Sequence, residues 1–418
     1  MPTDTHAIDF GTSNSAAAIA TAQGLHRIPI ERGAETLPTA VFFPGDKGAM
    51  RLGTAAAEAL IAGEEGRYMR ALKSVLGLPL LHEKRLIGGR RRTLSGIIAD
   101  FLSELRQRAE ASTGLRFHRA LSGRPVHFHT ADPDKDARAE ADLRACYLAT
   151  GFDAVDFLPE PEAAAIACQG MGAAGQTGLI VDIGGGTSDF SVFRTGAARP
   201  EILASHGIRL GGTDFDHAVS MTHAMPHLGL GGQLRRQMGA GLLPVPRAPY
   251  VDLATWARIP FLYTPETRRM VADMARLAVD PPKMGRFATV LEMELGHELA
   301  FAVERGKIAA NGATAGGRID MGFIDPGLSE VVTPDSLDAA LAATRAMLRG
   351  AAAETLVLAG VAPESIGRII LVGGSSLMRL VGEEARALCP GAEILRSEAF
   401  TAVVDGLALA ARQQVAAK

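Results

Sequence analysis

Three short apolar runs along the chain each end in a glycine-containing polar turn. The first, Ala7-Ile8-Asp9-Phe10, meets Gly11-Thr12-Ser13-Asn14-Ser15, and a second apolar run, Ala16 to Ala20, returns from it. The same design recurs at Gly178 to Ile183, which meets Gly184-Gly185-Gly186-Thr187-Ser188-Asp189 and returns through Phe190 to Phe193. Both patterns predict a buried strand, a tight turn and a returning strand, with an aspartate at the root of each hairpin. Asp9 and Asp182 are 182 − 9 = 173 positions apart. That offset is too long for a solenoid repeat and suits a duplicated domain of about 100–200 residues. The third run, Arg368 to Val372, leads into Gly373-Gly374-Ser375-Ser376 and predicts a strand, a turn and then a helix.

Helical spacing fills much of the rest. Ile97, Ile98, Phe101, Leu102 and Leu105 recur on one face, with Asp100, Glu104, Arg106 and Arg108 opposite. Thr333-Pro334-Asp335 predicts a capped helix start with Leu337, Leu341, Met347 and Leu348 pointing inward. Strands alternating with helices give the α/β class. Between about 225 and 285 the pattern loosens; Pro244-Val245-Pro246-Arg247-Ala248-Pro249 reads as extended, and the only tryptophan, Trp256, follows it. This stretch is expected to belong to a variable subdomain.

Composition narrows the function classes. With 43 Lys+Arg against 46 Asp+Glu, the net charge of −3 argues against a nucleic-acid or membrane-surface binder driven by bulk electrostatics. Arg90-Arg91-Arg92 reads as a solvated loop. Cys146, Cys168 and Cys389 are odd in number and far apart, so they read as small buried residues in helical contexts, not as a disulfide framework. His127 and His129 are expected on one face of a strand, with no third metal ligand suggested. No secretory signal or apolar run of about 18 residues is apparent, so a cytoplasmic location is expected.

The glycine turns carry the candidate chemistry. Thr12, Ser13 and Asn14 offer short polar side chains and backbone N–H groups in a concave, anion-accepting turn, and Gly184 to Thr187 offer a second one. Two such turns fit phosphates gripped from both sides. Asp9 and Asp182 fit a Mg²⁺ held mostly through its waters, because Mg²⁺ dehydrates reluctantly. The third turn, Gly373-Gly374-Ser375, could lie flat against a base or ribose.

These motifs together resemble the nucleotide-binding domain of the seventy-kilodalton heat-shock chaperones, the DnaK family, which share the actin and hexokinase fold. Ile8 to Ser15 resembles that family's first phosphate loop and Asp182 to Asp189 its second. Leu158-Pro159-Glu160-Pro161-Glu162 resembles the segment joining the lobes. Leu210-Gly211-Gly212-Thr213-Asp214-Phe215-Asp216 resembles the Gly-Gly-acidic helix start, and Val303 to Ile308 the adenosine helix. Ser122-Gly123-Arg124-Pro125 and Met225 to Gly232 are similar to the short bacterial YegD-type members.

The resemblance implies a two-lobed ATPase fold of duplicated ribonuclease H-like domains with a nucleotide cleft. Lobe I would span 1–178, with a core of 1–37 and 86–178, a small subdomain near 38–85, and a C-terminal helix, 398–418, packing back on it. Lobe II would span 179–397, with a core of 179–216 and 335–397 and a small subdomain near 217–334 carrying an insertion at 225–285. ATP or ADP and Mg would be the ligands, and a slow hydrolysis of ATP to ADP and phosphate the activity. Lys73, Glu160, Asp182 and Thr187 would be catalytic, with Glu160 and Thr187 positioning water. Gly11, Thr12, Ser13, Asn14, Gly184, Gly185, Gly186, Thr187, Gly211 and Gly212 would surround the phosphates. Glu304, Lys307 and Asn311, with Gly373, Gly374, Ser375 and Leu377, would hold adenosine.

Departures temper that picture. Leu377 stands where the family usually stacks an arginine on adenine, and Asn311 where it has a serine. After the helix at 403–413 no peptide-binding domain is expected, so partner and co-chaperone stay open. Alternatives are a nucleotide-binding pseudo-ATPase regulator, a small-molecule kinase of the same fold, or a filament protein. A monomer or weak oligomer is expected, with no nucleic-acid or membrane partner.

Overall fold

The computed structural model describes residues 5–21, 24–31, 33–46, 48–168, 175–196, 199–312, 316–396 and 401–416. Residues 398–400 and 417–418, parts of the expected C-terminal helix, lie outside the described residues. The chain divides into two compact units, one of residues 1–212 with 346–418 and one of residues 213–345.

The first unit holds two principal sheets. One contains β1 (Thr5–Phe10), β2 (Asn14–Thr21), β3 (Gly24–Arg27), β4 (Arg119–Arg124) and β5 (Ala154–Pro159), ordered β5-β4-β1-β2-β3, with a short strand at Thr36–Pro38 also pairing with β2. The other contains β6 (Thr177–Ile183), β7 (Ser188–Arg194), β8 (Glu201–Ile208), β9 (Arg368–Val372) and β10 (Glu393–Arg396), ordered β8-β7-β6-β9-β10. The paths have the same connectivity. β1 pairs antiparallel with β2 and parallel with β4, as β6 does with β7 and β9. The internal repeat read from the two Asp-rooted hairpins is therefore present in the backbone. All five residues of β9 are buried, as expected of a parallel strand covered on both faces.

Helices cover these sheets. α1 (Leu94–Thr113) starts at Thr93, whose hydroxyl accepts from the Gly96 N–H, and stops where Gly114 turns left-handed at φ 69°. Its buried stripe includes Ile97, Ile98, Phe101, Leu102 and Leu105, as the helical spacing predicts. α2 (Pro133–Ala149) is capped by Asp132 and has Pro133 in its first turn. The short, alanine-rich α3 (Glu160–Ala167) packs in one apolar cluster with residues from both sheets, among them Ala7, Ala18, Ile180 and Ile370. In the second unit, α4 (Gly296–Gly312) buries Leu299, Val303 and Ala310. In the first unit α5 (Arg379–Leu388) follows β9, and α6 (Ala402–Ala416) joins the α3 cluster through Val404, Leu407 and Ala408. The α3–α6 crossing is close enough that a Cβ at Gly406 would collide with the Ala163 carbonyl. Small residues set that spacing.

The second unit is more regular than its sequence suggests. Helices at Ala248–Leu253, Pro265–Leu277 and Pro281–Glu292 fill the stretch where the pattern loosens, and Trp256, Tyr250 and Phe287 are fully buried. The Pro-rich segment is not extended throughout, since a helix begins at Ala248. Proline fits there because a first helical turn needs no N–H from it. The helix capped by Thr333 forms with a reciprocal Thr333–Ser336 capping box, yet it breaks at Leu341 and continues as Ala342–Ala359. Leu337, Leu341 and Leu348 are buried as expected, but Met347 is 52% exposed, because it lies about 100° around the helix from Leu348.

Two further local expectations are revised. Arg90–Arg92 is a strand paired with Arg85–Ile87, and Arg92 bonds to Asp100 at 2.8 Å. His127 and His129 follow the end of β4 in an irregular segment, so strand alternation does not govern their faces. The three cysteines are all buried, as read from the sequence.

Candidate functional site

The two Asp-rooted hairpins of the first unit meet at their turns. Asp9 lies near the end of β1, opposite Ala16, and Asp182 near the end of β6, opposite Asp189. The first turn carries Gly11, Thr12 and Ser13, with Asn14 opening β2. The second carries Gly184 to Thr187 and is closed by a bond from the Gly184 N–H to the Thr187 carbonyl at 3.0 Å. A Cβ added at Gly185 would strike the Ser13 hydroxyl, and one at Gly186 would lie 2.9 Å from Thr12 Oγ1. Only the absence of side chains lets the turns approach this closely.

The other glycines join the same place. The Gly212 N–H donates to the Gly184 carbonyl at 3.0 Å, and a Cβ at Gly211 would lie 2.5 Å from the Gly186 nitrogen. Gly373 adopts φ 80°, and a Cβ there would lie 2.7 Å from Asp182 Oδ1. The segment after β9 does not enter a helix directly. A 3₁₀ turn, Gly374–Leu377, comes first, with Ser375 beside Gly212 and Leu377 41% exposed.

One buried cation faces these acids. Lys73 sits on a 3₁₀ turn, Leu72–Val75, and its Nζ lies 2.6 Å from Glu160 Oε1 at the start of α3. Both side chains are nearly enclosed. Burial works against the charge of Lys73, but Glu160 and Asp9 hold its pKa above the usual lysine value. The carboxyls respond oppositely. Burial and then the Glu160 charge push Asp9 up to about 7, and the same causes, joined by Asp189 and Asp9, push Asp182 well above the carboxylate range.

Asp189 belongs to this cluster although the sequence gives it no separate role. It is buried, accepts from the Val126 N–H at 2.7 Å, and is pushed up to about 8 by burial and by Glu160. The signal was available in the second turn, whose closing aspartate has no counterpart at Ala16 in the first hairpin. Four carboxyls, Asp9, Glu160, Asp182 and Asp189, thus bear on one ammonium. The all-oxygen donors fit a hard cation, which would offset the crowding that raises these carboxyls. Among the described residues, no group of three or more His, Cys, Asp or Glu side chains is placed to hold a metal directly.

Glu304, Lys307 and Asn311 lie on α4, in the second unit. Lys307 is buried. Its Nζ is buried 2.6 Å from Asp216 Oδ1, and the Trp256 indole N–H donates to Asp216 Oδ2 at 3.1 Å. Burial raises the Asp216 pKa, and Lys307 acts against that rise. Neither Asp216 nor Trp256 was assigned a role from sequence; a lone tryptophan beside a Gly-Gly-acidic helix start offers little to read. His129 and His127 hold no shared ligand arrangement: His129 Nε2 bonds the Leu76 carbonyl at 2.8 Å, while His127 Nδ1 lies 3.6 Å from Asp136.

Comparison with known proteins bears on the same region. The Hsp70 protein family matches residues 83–228. A chaperone protein HscA homolog of Pseudomonas paraeruginosa is 35% identical over 232 residues, covering 51% of this chain and 36% of the relative. HscA homologs of Pseudomonas putida and of Azoarcus sp. are each 33% identical, over 233 and 229 residues. The resemblance to the heat-shock chaperone family is thus found over half of the chain, and that half spans about a third of the length of each relative. The α/β architecture with mixed sheets and covering helices is consistent with the ATPase fold of that family. No helix among the described residues is long and apolar enough to cross a membrane.

Proposed function

We propose that the chain binds Mg·ATP and hydrolyses it slowly, as a nucleotide-driven switch of the chaperone family. The observation that carries this reading is the meeting of two equivalent hairpins, turn to turn, with Asp9 and Asp182 at their roots and the Lys73–Glu160 pair beside them. Thr12, Ser13 and Asn14 would hold phosphate oxygens from one side and Gly184 to Thr187 from the other, with Gly11, Gly211 and Gly212 shaping the space. Asp9 and Asp182 would hold Mg²⁺ through its waters. The ion, when bound, would neutralise charge on the phosphates.

Hydrolysis of a phosphoanhydride needs little covalent help from the protein. Glu160 and Thr187 would align the attacking water, and Lys73 would offset charge gathering on the terminal phosphoryl group. Gly373, Gly374, Ser375 and Leu377 of the first unit would lie against adenosine. In this reading lobes I (1–178) and II (179–397) change their angle with the nucleotide state, which a partner can sense. The YegD-type members, which the chain resembles in Ser122–Pro125 and Met225–Gly232, offer a template for this reading. A cytoplasmic location and an unidentified protein partner belong to the same proposal.

A second reading is a regulator that binds nucleotide without hydrolysing it. Leu377, in place of the family's stacking arginine, favours it. A phosphate-release assay on the wild type and on Glu160→Ala separates the two. The ATPase reading expects slow release in the wild type and at least about 100-fold less in the variant. Binding of ATP with no release in either protein establishes the regulator.

A further inference from the structure

The turn that carries Lys73 is tied down by a pair of side chains from elsewhere in the first unit. Ala71, just before the turn, is buried and left-handed at φ 60°, a conformation that a residue with a Cβ holds only when its surroundings impose it. Those surroundings grip two carbonyls, one in the turn and one just past its end. Arg209 donates to the Ser74 carbonyl at 2.8 Å, and His129 Nε2 meets the Leu76 carbonyl at 2.8 Å. The two grips are joined, because Arg209 also reaches His129 Nδ1 at 3.2 Å.

The chemistry of these bonds fixes the imidazole. A carbonyl accepts only, so Nε2 carries the proton. A guanidinium donates only, so Nδ1 is bare. His129 is therefore neutral, and burial, its largest influence, lowers its pKa in agreement. Thr130 completes the link. Its hydroxyl accepts from the Arg209 N–H at 3.1 Å and donates to the Gly207 carbonyl at 3.4 Å. Residues 129–130 thus connect the lysine turn to the chain end of β8, just ahead of Gly211 and Gly212.

We propose that His129 and Arg209 form a latch that positions Lys73 against Glu160 and couples the lysine turn to the Gly211–Gly212 segment. Both act through backbone carbonyls and touch no reacting atom, so they are positioning residues. The inference rests on the reading of Lys73 as a phosphate-side residue, and its test separates the two.

Hydrogen exchange of the 71–78 amides is measured in the wild type, Arg209→Ala, His129→Ala and His129→Gln. Phosphate release is measured in the same proteins, with and without Lys73→Ala. Arg209→Ala and His129→Ala are expected to raise exchange at 71–78 and lower kcat about tenfold, with KM changed less than about twofold. His129→Gln, which keeps a donor for Leu76, recovers part of both. In the Lys73→Ala background Arg209→Ala lowers kcat no further. Unchanged exchange at 71–78 overturns the latch whatever the activity. So does an undiminished loss of kcat in the Lys73→Ala background. If Lys73→Ala itself leaves phosphate release intact, the role of Lys73 fails, and hydrogen exchange alone then decides whether the latch exists.

Discussion

Lys73 Nζ and Glu160 Oε1 lie 2.6 Å apart, each side chain about nine-tenths enclosed, at the meeting point of a 3₁₀ turn and the start of α3. A buried pair of this kind is costly to break on one side, because the remaining charge has no water to turn to. Lys73→Met or Glu160→Leu alone is expected to destabilise the fold by about 3–5 kcal/mol. The double variant should recover most of that loss while phosphate release stays far below the wild-type rate. Denaturant melts of the three proteins check the first part and a phosphate assay the second.

The α3–α6 crossing depends on one missing methyl group. Gly406→Ala would drive a Cβ into the Ala163 carbonyl, which neither rigid helix can avoid cheaply. A loss of about 1–3 kcal/mol is expected. Since α3 begins at Glu160, lower turnover should accompany it. Thermal unfolding and kcat measured together test the linkage; a variant of wild-type stability would show that the crossing is looser than described.

His6 supplies a pH dependence. It is fully buried in β1, stacked on Phe117 at 4.6 Å, and neither ring nitrogen has a hydrogen-bond partner. Burial, then the Arg106 charge, lowers its pKa from 6.5 to about 3. Below pH 6.5 the unfolded chain takes up a proton that the folded state refuses, so stability falls as the pH drops through that window. The loss should reach about 2 kcal/mol by pH 5. His6→Leu removes both the orphan nitrogens and the proton, and should flatten the stability difference between pH 7 and pH 5. An unchanged slope would show that other groups govern acid stability.

Much of this site was legible because its parts are local. A buried strand ending in Asp-x-Gly, repeated after 173 positions, points to paired hairpins, and the two five-strand paths bear out that repetition. The helix start marked by Thr333 was legible for the same reason. What escaped depends on distant contacts. No pattern in the sequence brings Arg209 to Ser74 or Trp256 to Asp216, and Asp189 reads as the last letter of a turn until Val126 is found donating to it. The helices between 248 and 292 were obscured by prolines, which here begin helices instead of preventing them.

The central claim is that the paired hairpins bind nucleotide with the help of Mg²⁺ held at Asp9 and Asp182. Calorimetric titration of ATP into the wild type and Asp182→Asn, with Mg²⁺ and with the ion chelated, tests it most directly. Saturable one-to-one binding to the wild type in Mg²⁺ is expected, weakened at least about tenfold, or by about 1.4 kcal/mol, by chelation or by the substitution. A folded wild-type protein that binds no ATP, or an Asp182→Asn variant that binds it equally well with and without Mg²⁺, would contradict it.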